Sequence, residues 1–430
     1  PRQLFALAAA GQVGSGLVAT LGGTRERQFA GIHPGLPAQV LLLEHQRARA
    51  GNAERWRLLS ADMQGHSTII YADAHKLADF AFDPTGRLAY VERVEGEALV
   101  IHRIDAQGHL HEVLRCADLH RCSLLPVTDS RGNLLLETDV GQSLRHLARL
   151  ESDGSLHTLA SDPRDEADLE SVVLDPVGGE PLVATYRAAV SSNVGLTTGA
   201  VRNVAALAAR YPQRRLEIQA GHGAGACWLV GENAGSLQQE RWHLYNPEAD
   251  TFRDLPAVQP FDPLTGATAT WLPEAAMARK IHVTWRASDG MRLHGFLWLP
   301  PGRDVHTLPL VAMVHGGPWN HASAAEFGGG YSQFLANRGY IVFEPNFRGS
   351  TGYGRDYMFA AHGDFGNGRV QQDIVDGVHY LLEQGIGDAD RVGIVGASFG
   401  GYSTLLGVTF QPQLFKVGVA IVPPADLAWD

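Results

Sequence analysis

The first 275 residues carry short runs in which apolar and polar positions alternate, and turn residues separate these runs. Successive side chains of a β-strand point to opposite faces of a sheet, so this alternation predicts strands. The clearest runs are at 88–92, 98–103, 134–138 and 147–150. The N-terminal part of the chain is therefore predicted to be all β.

The turns between these strands repeat with a fixed period. An Asp-x-x-Gly turn begins at Asp83, a second begins 46 residues later at Asp129, and a third begins after another 46 residues at Asp175. The Asp side chain can bond to the turn backbone, and the Gly tolerates the positive φ that closes a hairpin. A second series of turns, at 105–108 and 151–154, runs in phase with the first. Two hairpins in each period mean four strands, which is the content of one propeller blade.

The period therefore predicts an all-β propeller of about six or seven blades over residues 1–277. An Ala-rich segment at 200–210 has helical character and predicts an irregular blade. An ordinary β-sandwich with similar turns is the alternative. The same spacing found twice favours the propeller.

From about residue 278 the pattern changes to alternating strands and helices. Two apolar runs, at 280–285 and 293–299, flank an Asp-Gly turn and predict a hairpin. The later elements are predicted as strands at 308–314, 340–344, 392–395 and 417–422, with helices at 331–337, 370–384 and 399–408. Such alternation is typical of a mostly parallel, doubly wound sheet covered by helices.

The sequence Gly-Ala-Ser-Phe-Gly at 396–400 follows an apolar run and precedes a predicted helix. A Ser on a sharp strand-to-helix turn needs very small neighbours two residues away on each side, and Gly396 and Gly400 meet this need. The free amides at the start of the helix also favour negative charge at that place. Ser398 is therefore the predicted nucleophile of an α/β-hydrolase domain within 278–430.

A second Gly-rich turn, His-Gly-Gly-Pro at 315–318, follows a predicted strand. In α/β-hydrolases this position supplies one amide of the oxyanion hole, and glycines let the backbone approach the reacting carbonyl. We predict that the amides of Gly317 and Phe399 form the hole, with the Gly316 amide as the fallback. His315 is predicted to be structural, since a general base has to reach the nucleophile from the other side.

Composition narrows the range of partners. The chain has 430 residues and a formal net charge of -11, which disfavours nucleic acid and anionic membrane surfaces. No run of about 18 apolar residues occurs, so no membrane-spanning helix is expected. We expect a small substrate, no cofactor and no metal, because no Cys or His pair has metal-ligand spacing.

The three cysteines, Cys116, Cys122 and Cys227, do not indicate a disulfide framework. Cys116 and Cys122 can bridge, but the expected compartment favours free thiols. That compartment is the cytoplasm, with a periplasmic or secreted location as the alternative.

Three motifs together resemble the catalytic-domain signatures of the prolyl oligopeptidase family. They are His-Gly-Gly-Pro-Trp at 315–319, Asn-Phe-Arg-Gly-Ser-Thr-Gly-Tyr-Gly at 346–354 and Gly-Ala-Ser-Phe-Gly-Gly-Tyr at 396–402. The match is closest to the acylaminoacyl peptidase and dipeptidyl aminopeptidase branch. The resemblance implies a Ser-Asp-His peptidase that forms an acyl-enzyme at Ser398. It also implies that short peptides enter a chamber between propeller and catalytic domain.

The chain departs from this family pattern after the nucleophile. In α/β-hydrolases the triad follows the order Ser, Asp, His. No His follows His379, and the carboxylates after Ser398 belong only to Asp426 and Asp430. Asp426 comes one crossover too early to be the acid. We therefore expect that the hydrolase domain is incomplete, that the chain is cut off before its catalytic Asp and His, and that this chain alone is inactive.

Two other functions stay open at this point. An esterase or lipase shares the strand-to-helix turn at 396–400, which we call the elbow, and the His-Gly-Gly turn. It does not require a propeller. The second is a protein whose propeller binds a partner and whose hydrolase domain is an inactive remnant. Homo-oligomer formation stays open in each case.

Substrate-binding residues are not determined by the sequence. Arg348 is either a substrate contact or a buried structural residue. A cluster of carboxylates is either a site for a substrate amine or a solvated loop; it consists of Asp165, Glu166, Asp168 and Glu170.

Overall fold

The computed structural model describes residues 2–6, 16–21, 26–36, 38–48, 53–117, 119–186, 191–221, 225–257, 271–323 and 330–426. By its internal contacts the chain divides into two compact units. The first contains Pro1–Ser161 and Leu174–Glu180, and the second contains Asp162–Val173 and Pro181–Asp430. The domain boundary at 277/278 stays a prediction, as does the number of blades.

The first unit is built from antiparallel strands that pair in chain order. They are β1 (Arg2–Ala6), β2 (Gly16–Leu21), β3 (Glu26–Ile32), β4 (Gln39–Gln46), β5 (Arg55–Asp62), β6 (Ser67–Asp73), β7 (Leu77–Phe82), β8 (Leu88–Glu95), β9 (Ala98–Ile104), β10 (Leu110–Cys116), β11 (Cys122–Leu124), β12 (Leu134–Thr138), β13 (His146–Leu150) and β14 (Leu156–Ala160). Strands β3 to β6, β7 to β10 and β11 to β14 form three four-stranded sheets, and β1 pairs with β2. The prediction of four strands per repeat is confirmed.

The repeated Asp-x-x-Gly turns join the first and second strands of these sheets. The amide of Gly86 donates to the carbonyl of Asp83 at 2.9 Å, and Gly132 makes the same bond to Asp129 at 2.9 Å. Both glycines have positive φ, at 85° and 83°. The third turn closes one residue later than predicted, because the amide of Gly179 donates to the Asp175 carbonyl, whereas the amide of Gly178 donates to the Asp175 carboxylate.

Cys116 and Cys122 form a disulfide between the end of β10 and the start of β11. Their Cα atoms lie 6.5 Å apart, within the usual range for such a bond. Both residues are buried in an apolar cluster that the two neighbouring sheets share. The expectation of free thiols is therefore wrong for this pair, because the short connection between consecutive sheets brings the two side chains together. Cys227 is free.

Carboxylates are buried close together in the first unit. Asp79 of β7 is the direct cross-strand partner of Glu92 of β8, so the two side chains leave the same face of the sheet. Glu92 is 2% exposed, and its Oε1 atom has no hydrogen-bond partner in the described part of the chain. Burial, with the neighbouring Asp79 charge, raises the pKa of Glu92 to about 8. Burial also raises the pKa of Asp79 to about 6 and that of Glu137 of β12 to about 7.

The second unit holds the remaining strands and the helices. Its strands are β15 (Leu169–Leu174), β16 (Pro181–Tyr186), β17 (Ser192–Gly195), β18 (Arg215–Gln219), β19 (Trp228–Asn233), β20 (Arg241–Asn246), β21 (Thr251–Asp254), β22 (Arg279–Arg286), β23 (Arg292–Leu299), β24 (Leu310–Val314), β25 (Ile341–Asn346), β26 (Val392–Ala397) and β27 (Val417–Ile421). Its helices are α1 (Thr198–Arg210), α2 (Tyr331–Ala336), α3 (Arg355–Phe359), α4 (Arg369–Glu383) and α5 (Phe399–Phe410), with short 3₁₀ turns at Glu274–Ala276 and Val305–Thr307.

Two smaller sheets of this unit continue the propeller pattern. Strands β15 to β17 form a three-stranded sheet, and β18 to β21 form a four-stranded sheet. Helix α1 lies between them in the sequence, as the Ala-rich segment predicted, and the hydroxyl of Thr197 caps it by accepting from the Ala200 amide at 3.2 Å.

Strands β22 to β27 form a six-stranded sheet in the order β22-β23-β25-β24-β26-β27. Strands β22, β23 and β25 are antiparallel neighbours, whereas β25, β24, β26 and β27 run parallel. Phe343 of β25, Ile374 of α4 and Ile394 of β26 are buried in its core. The predicted mostly parallel sheet is confirmed. Within the described ranges, no helix is both long and apolar enough to cross a lipid bilayer.

The disulfide predicts a specific thiol count. Protein that is denatured without reductant and labelled with a maleimide should react at one thiol, that of Cys227. Reduction should raise the count to three. Mass spectrometry after maleimide labelling measures both numbers. Three reactive thiols before reduction would show that Cys116 and Cys122 are unpaired.

The raised pKa of Glu92 predicts that the free energy of unfolding falls as the pH rises. Glu92 binds its proton more tightly in the folded unit than in the unfolded chain, so its contribution is complete below about pH 4.5 and is lost as the pH rises through about 8. Glu92→Gln cannot ionise. Its free energy of unfolding should match that of the wild type at low pH and exceed it by at least about 1 kcal/mol well above pH 8.

Urea unfolding at a series of pH values tests this prediction. Glu97→Gln is the matched control, because Glu97 is an exposed residue of the adjacent β8–β9 turn. A difference between Glu92→Gln and wild type that stays constant with pH would contradict the assignment.

Candidate active site

Ser398 stands on the sharp turn between β26 and α5. Its backbone angles are φ 54° and ψ -120°, a strained conformation for a residue other than glycine. Its amide donates to the carbonyl of Ile421 in β27 at 3.0 Å, and its side chain is exposed. This is the geometry of a nucleophile presented above a parallel sheet.

The two glycines around Ser398 are required by close contacts. A methyl group added at Gly396 would lie 2.4 Å from the carbonyl carbon of Gly400. One added at Gly400 would lie 2.0 Å from the carbonyl oxygen of Val314, at the end of β24. Both distances are far below any real carbon contact, so the steric reason for glycine at these positions is confirmed.

The His-Gly-Gly-Pro turn lies directly beside the nucleophile. A methyl group added at Gly316 would lie 3.5 Å from Cβ of Ser398. The amides of Gly317 and Phe399 have no acceptor within the described residues, and Phe399 opens a helix whose first amides cannot bond inside it. Two donors are therefore free near Ser398. Their role in an oxyanion hole stays a prediction.

His315 makes hydrogen bonds through both ring nitrogens. Its Nδ1–H donates to the Gly316 carbonyl at 2.9 Å, and its Nε2 accepts from the Ser350 hydroxyl at 2.9 Å. Its ring stacks on Phe347 with centroids 4.4 Å apart. Burial lowers the pKa of His315 to about 4, so the ring is neutral at physiological pH. This arrangement supports the structural role predicted for it.

The histidines that follow the His-Gly-Gly turn do not reach the nucleophile. His321 bonds to Thr351 through Nδ1 at 2.9 Å, whereas His362 and His379 are exposed. In the part of the chain that the structure describes, no side chain makes a hydrogen bond to Ser398. The general base is not identified among these residues.

Arg348 is held by two carboxylates at the end of β25. Its guanidinium donates twice to Asp373 of α4, at 2.8 Å each, and twice to Asp289 of the β22–β23 turn, at 2.7 and 3.0 Å. The side chains of Arg348 and Asp373 are 7% and 1% exposed. The hydrogen bonds from Arg348 hold the pKa of Asp289 at about 2. Of the two interpretations of Arg348, the structure supports the buried structural one.

Sequence reasoning missed the partners that hold the 346–354 motif in place. The Asn346 side chain bonds to both the amide and the carbonyl of Ala322 and donates to the Tyr353 hydroxyl at 2.8 Å. The sequence does indicate that Asp373 has a special role, because Asp373 places a carboxylate on the otherwise apolar, buried face of α4. A buried carboxylate predicts a buried cation beside it.

Two of the four carboxylates of the acidic cluster are paired with arginines. Glu166 lies 3.2 Å from Arg292, and Glu170 lies 2.7 Å from Arg215. The amide of Asp168 donates to the Gly352 carbonyl at 3.1 Å, so this segment packs against the 346–354 motif.

Glu95, His102 and Glu112 of the first unit have ligand atoms within 4.8 Å of one another, as a metal site would require. Arg115 already pairs with Glu112 at 2.7 Å and with Glu95 at 3.3 Å, and Arg93 pairs with Glu95 as well. These guanidinium groups neutralise both carboxylates. The group therefore has no unbalanced negative charge to attract a cation.

The contacts of Arg348 predict its effect on stability. Arg348→Ala leaves the fully buried Asp373 without its counter-charge and removes the nearer of two arginines from Asp289, so it should lower the free energy of unfolding by about 3–5 kcal/mol. Arg369→Ala is the control, because Arg369 also approaches Asp289, at 3.6 Å, but is half exposed. It should cost at most about 1 kcal/mol. Unchanged stability of Arg348→Ala, together with weaker substrate binding, would instead assign Arg348 to the substrate.

Comparison with known proteins adds an independent line of support. Residues 326–429 match the prolyl oligopeptidase family. The chain is 28% identical over 425 residues to dipeptidyl aminopeptidase BIII of Pseudoxanthomonas mexicana, a match that covers 93% of this chain and 57% of that protein.

Solved structures show the same fold. The crystal structure of a puromycin hydrolase aligns with a TM-score of 0.70 and 18% identity, covering 99% of this chain and 66% of that one. The acylaminoacyl peptidase of Pyrococcus horikoshii aligns with a TM-score of 0.62 and 15% identity, covering 97% and 66%. The predicted fold class, a β-propeller followed by an α/β-hydrolase sheet, is confirmed. The chain spans less than two thirds of the length of these three proteins.

The motifs around Ser398, the strand order beneath them and these matches agree with one another. Residues 326–429 carry the match to the prolyl oligopeptidase family, and the chain as a whole is similar in sequence to a dipeptidyl aminopeptidase.

Proposed function

We propose that the protein is a serine peptidase that hydrolyses short peptides through an acyl-enzyme at Ser398. The observation that carries this proposal is an exposed Ser on a strained elbow, beside two backbone amides that have no acceptor among the described residues. Attack of Ser398 Oγ on a peptide carbonyl places negative charge on its oxygen. The amides of Gly317 and Phe399 would donate to that oxygen. The amine then leaves, and water releases the acyl group.

A general base has to take the proton of Ser398. His315 is unsuited to this task, because both its ring nitrogens are already bonded and its pKa is about 4. We assign the task to a His that an Asp orients, in the order Ser, Asp, His. The described residues do not supply this pair, so the proposal concerns the whole protein.

The substrates in this proposal are short peptides that are cut near the N-terminus, either as dipeptides or as acylated residues. The names of the P. mexicana and P. horikoshii proteins support these two types. The acidic cluster lies beside the 346–354 motif, where a free amine of the substrate would have to compete with Arg292 and Arg215 for its carboxylates.

Trp319 offers apolar surface next to the proposed hole. Its side chain is 61% exposed, and its ring meets the edge of Phe365 at 6.0 Å. Phe365 in turn packs on Phe399 at 5.8 Å. We propose that this row of rings borders the binding site and contacts an apolar side chain of the substrate.

For the compartment we propose an oxidising one, since a disulfide persists there and is rare in the cytoplasm. The thiol count given above tests this proposal if alkylation precedes cell lysis. Homo-oligomer formation stays a prediction.

The function is tested by fluorophosphonate labelling of the protein isolated from its natural source, followed by assays with dipeptidyl and N-acyl-aminoacyl amides. We expect label on Ser398 and amide hydrolysis, and both should disappear in Ser398→Ala. Ser288→Ala, a change of an exposed Ser in the β22–β23 turn, is the control and should retain both. Hydrolysis of short esters without amides would indicate an esterase. Absence of label on the natural protein would indicate an inactive remnant.

A further inference from the structure

The second unit contains a large cavity away from Ser398. Its volume is about 1100 Å³, enough for a ligand of nucleotide size. Its walls come from the turn after α1, the end of β19 with the turn that follows, the start of β22, and the loop after β23. None of the three catalytic motifs contributes to its lining.

Most charged side chains at the wall of this cavity are already neutralised. Lys280 pairs with Glu344 at 2.7 Å, and both side chains are nearly buried. The Lys280 ammonium also lies 4.9 Å from the ring centroids of both Phe296 and Trp298. These contacts balance the charge of Lys280 within this part of the wall.

The acidic residue of the lining, Glu274, is balanced in the same way. It accepts from Arg214 at 2.6 Å and from the Ser236 hydroxyl at 2.7 Å, and Arg241 lies 3.6 Å away. Glu274 is the one carboxylate among the lining residues, so the described lining has no free negative charge.

Two arginines at the cavity remain unbalanced. Arg279 and Arg303 both line it, both are exposed, and neither side chain has a hydrogen-bond or ion-pair partner within the described residues. Guanidinium groups bind phosphate oxygens in a bidentate manner. In a chain with a net charge of -11, a cavity with two free cations and no free anion is a local site of positive potential.

The backbone of the same wall is strained. Gln213, in the turn after α1, has φ 59°, a left-handed conformation that is uncommon for residues other than glycine. It directly precedes Arg214 and Arg215, which also line the cavity. Strain of this kind is concentrated at ligand-binding positions.

We infer that this cavity binds a small molecule with two adjacent phosphate groups, which Arg279 and Arg303 hold together. The cavity is far larger than a single phosphate ion, so the diphosphate is expected to be part of a larger molecule such as a nucleotide. This site is separate from the proposed peptidase site and does not depend on it.

Isothermal titration with inorganic pyrophosphate and with ADP, at constant ionic strength, tests the inference on the full chain. Both probes should bind saturably, with one site per chain. The double variant Arg279→Ala/Arg303→Ala should bind at least tenfold more weakly. The matched control is Arg131→Ala/Arg253→Ala, which removes two exposed arginines outside the cavity and should leave affinity unchanged.

Three outcomes would overturn the inference. They are no saturable binding of pyrophosphate or ADP, equal weakening in the two double variants, and tighter binding of citrate or adenosine than of pyrophosphate. Titration of Ser398→Ala separates the two sites, because its affinity for pyrophosphate should equal that of the wild type whether or not the peptidase proposal is correct.

Discussion

The candidate site depends on one steric constraint, which is the contact between the elbow and the end of β24. The parallel register places Val314 opposite Gly396, so the His-Gly-Gly turn leaves β24 where the elbow leaves β26. Only a glycine at position 400 permits this approach, since a methyl group there would lie 2.0 Å from the Val314 oxygen. The same contact brings Gly316 beside Ser398. Nucleophile and free amides are therefore positioned by a single pair of strands.

The second motif is fixed to this centre by polar contacts in addition to the packing of Phe347 on His315 and Phe399. Arg348 connects β25 to α4 and to the β22–β23 turn through two bidentate pairs. Ser350, two residues later, donates to His315. A buried ion pair of this kind adds little net stability over apolar packing, but removal of one partner is costly. Here it joins the loop that carries Tyr353 to α4 and to the β22–β23 turn.

Most of the fold could be predicted from the sequence, because each long element has a clear period. The elbow and the His-Gly-Gly turn could also be placed, since glycine spacing reflects local sterics. Helix α3 was missed because its five residues are too few to show a helical period. The disulfide was missed because the prediction relied on compartment rather than on the neighbouring ends of β10 and β11.

The sequence could not predict the Asp79–Glu92 pair or the two partners of Arg348, for a different reason. Each depends on register between segments that are distant or separated by a turn, and periodicity alone does not set register. Asp289 illustrates this point. Its Asp-Gly turn was predicted from local sequence, yet its carboxylate bonds to Arg348, 59 residues further along the chain.

The strain at Ser398 bears on whether the hydrolase sheet is an inactive remnant. A left-handed conformation at a non-glycine residue costs about 1–3 kcal/mol and persists only where surrounding contacts enforce it. Here those contacts require glycine at both Gly396 and Gly400, which removes side chains from a crowded region. Neither feature improves the packing of the sheet. They do leave an exposed hydroxyl beside amides that have no acceptor among the described residues, a combination suited to nucleophilic attack on a carbonyl. This favours the peptidase proposal over an inactive remnant, even though the described residues supply no base.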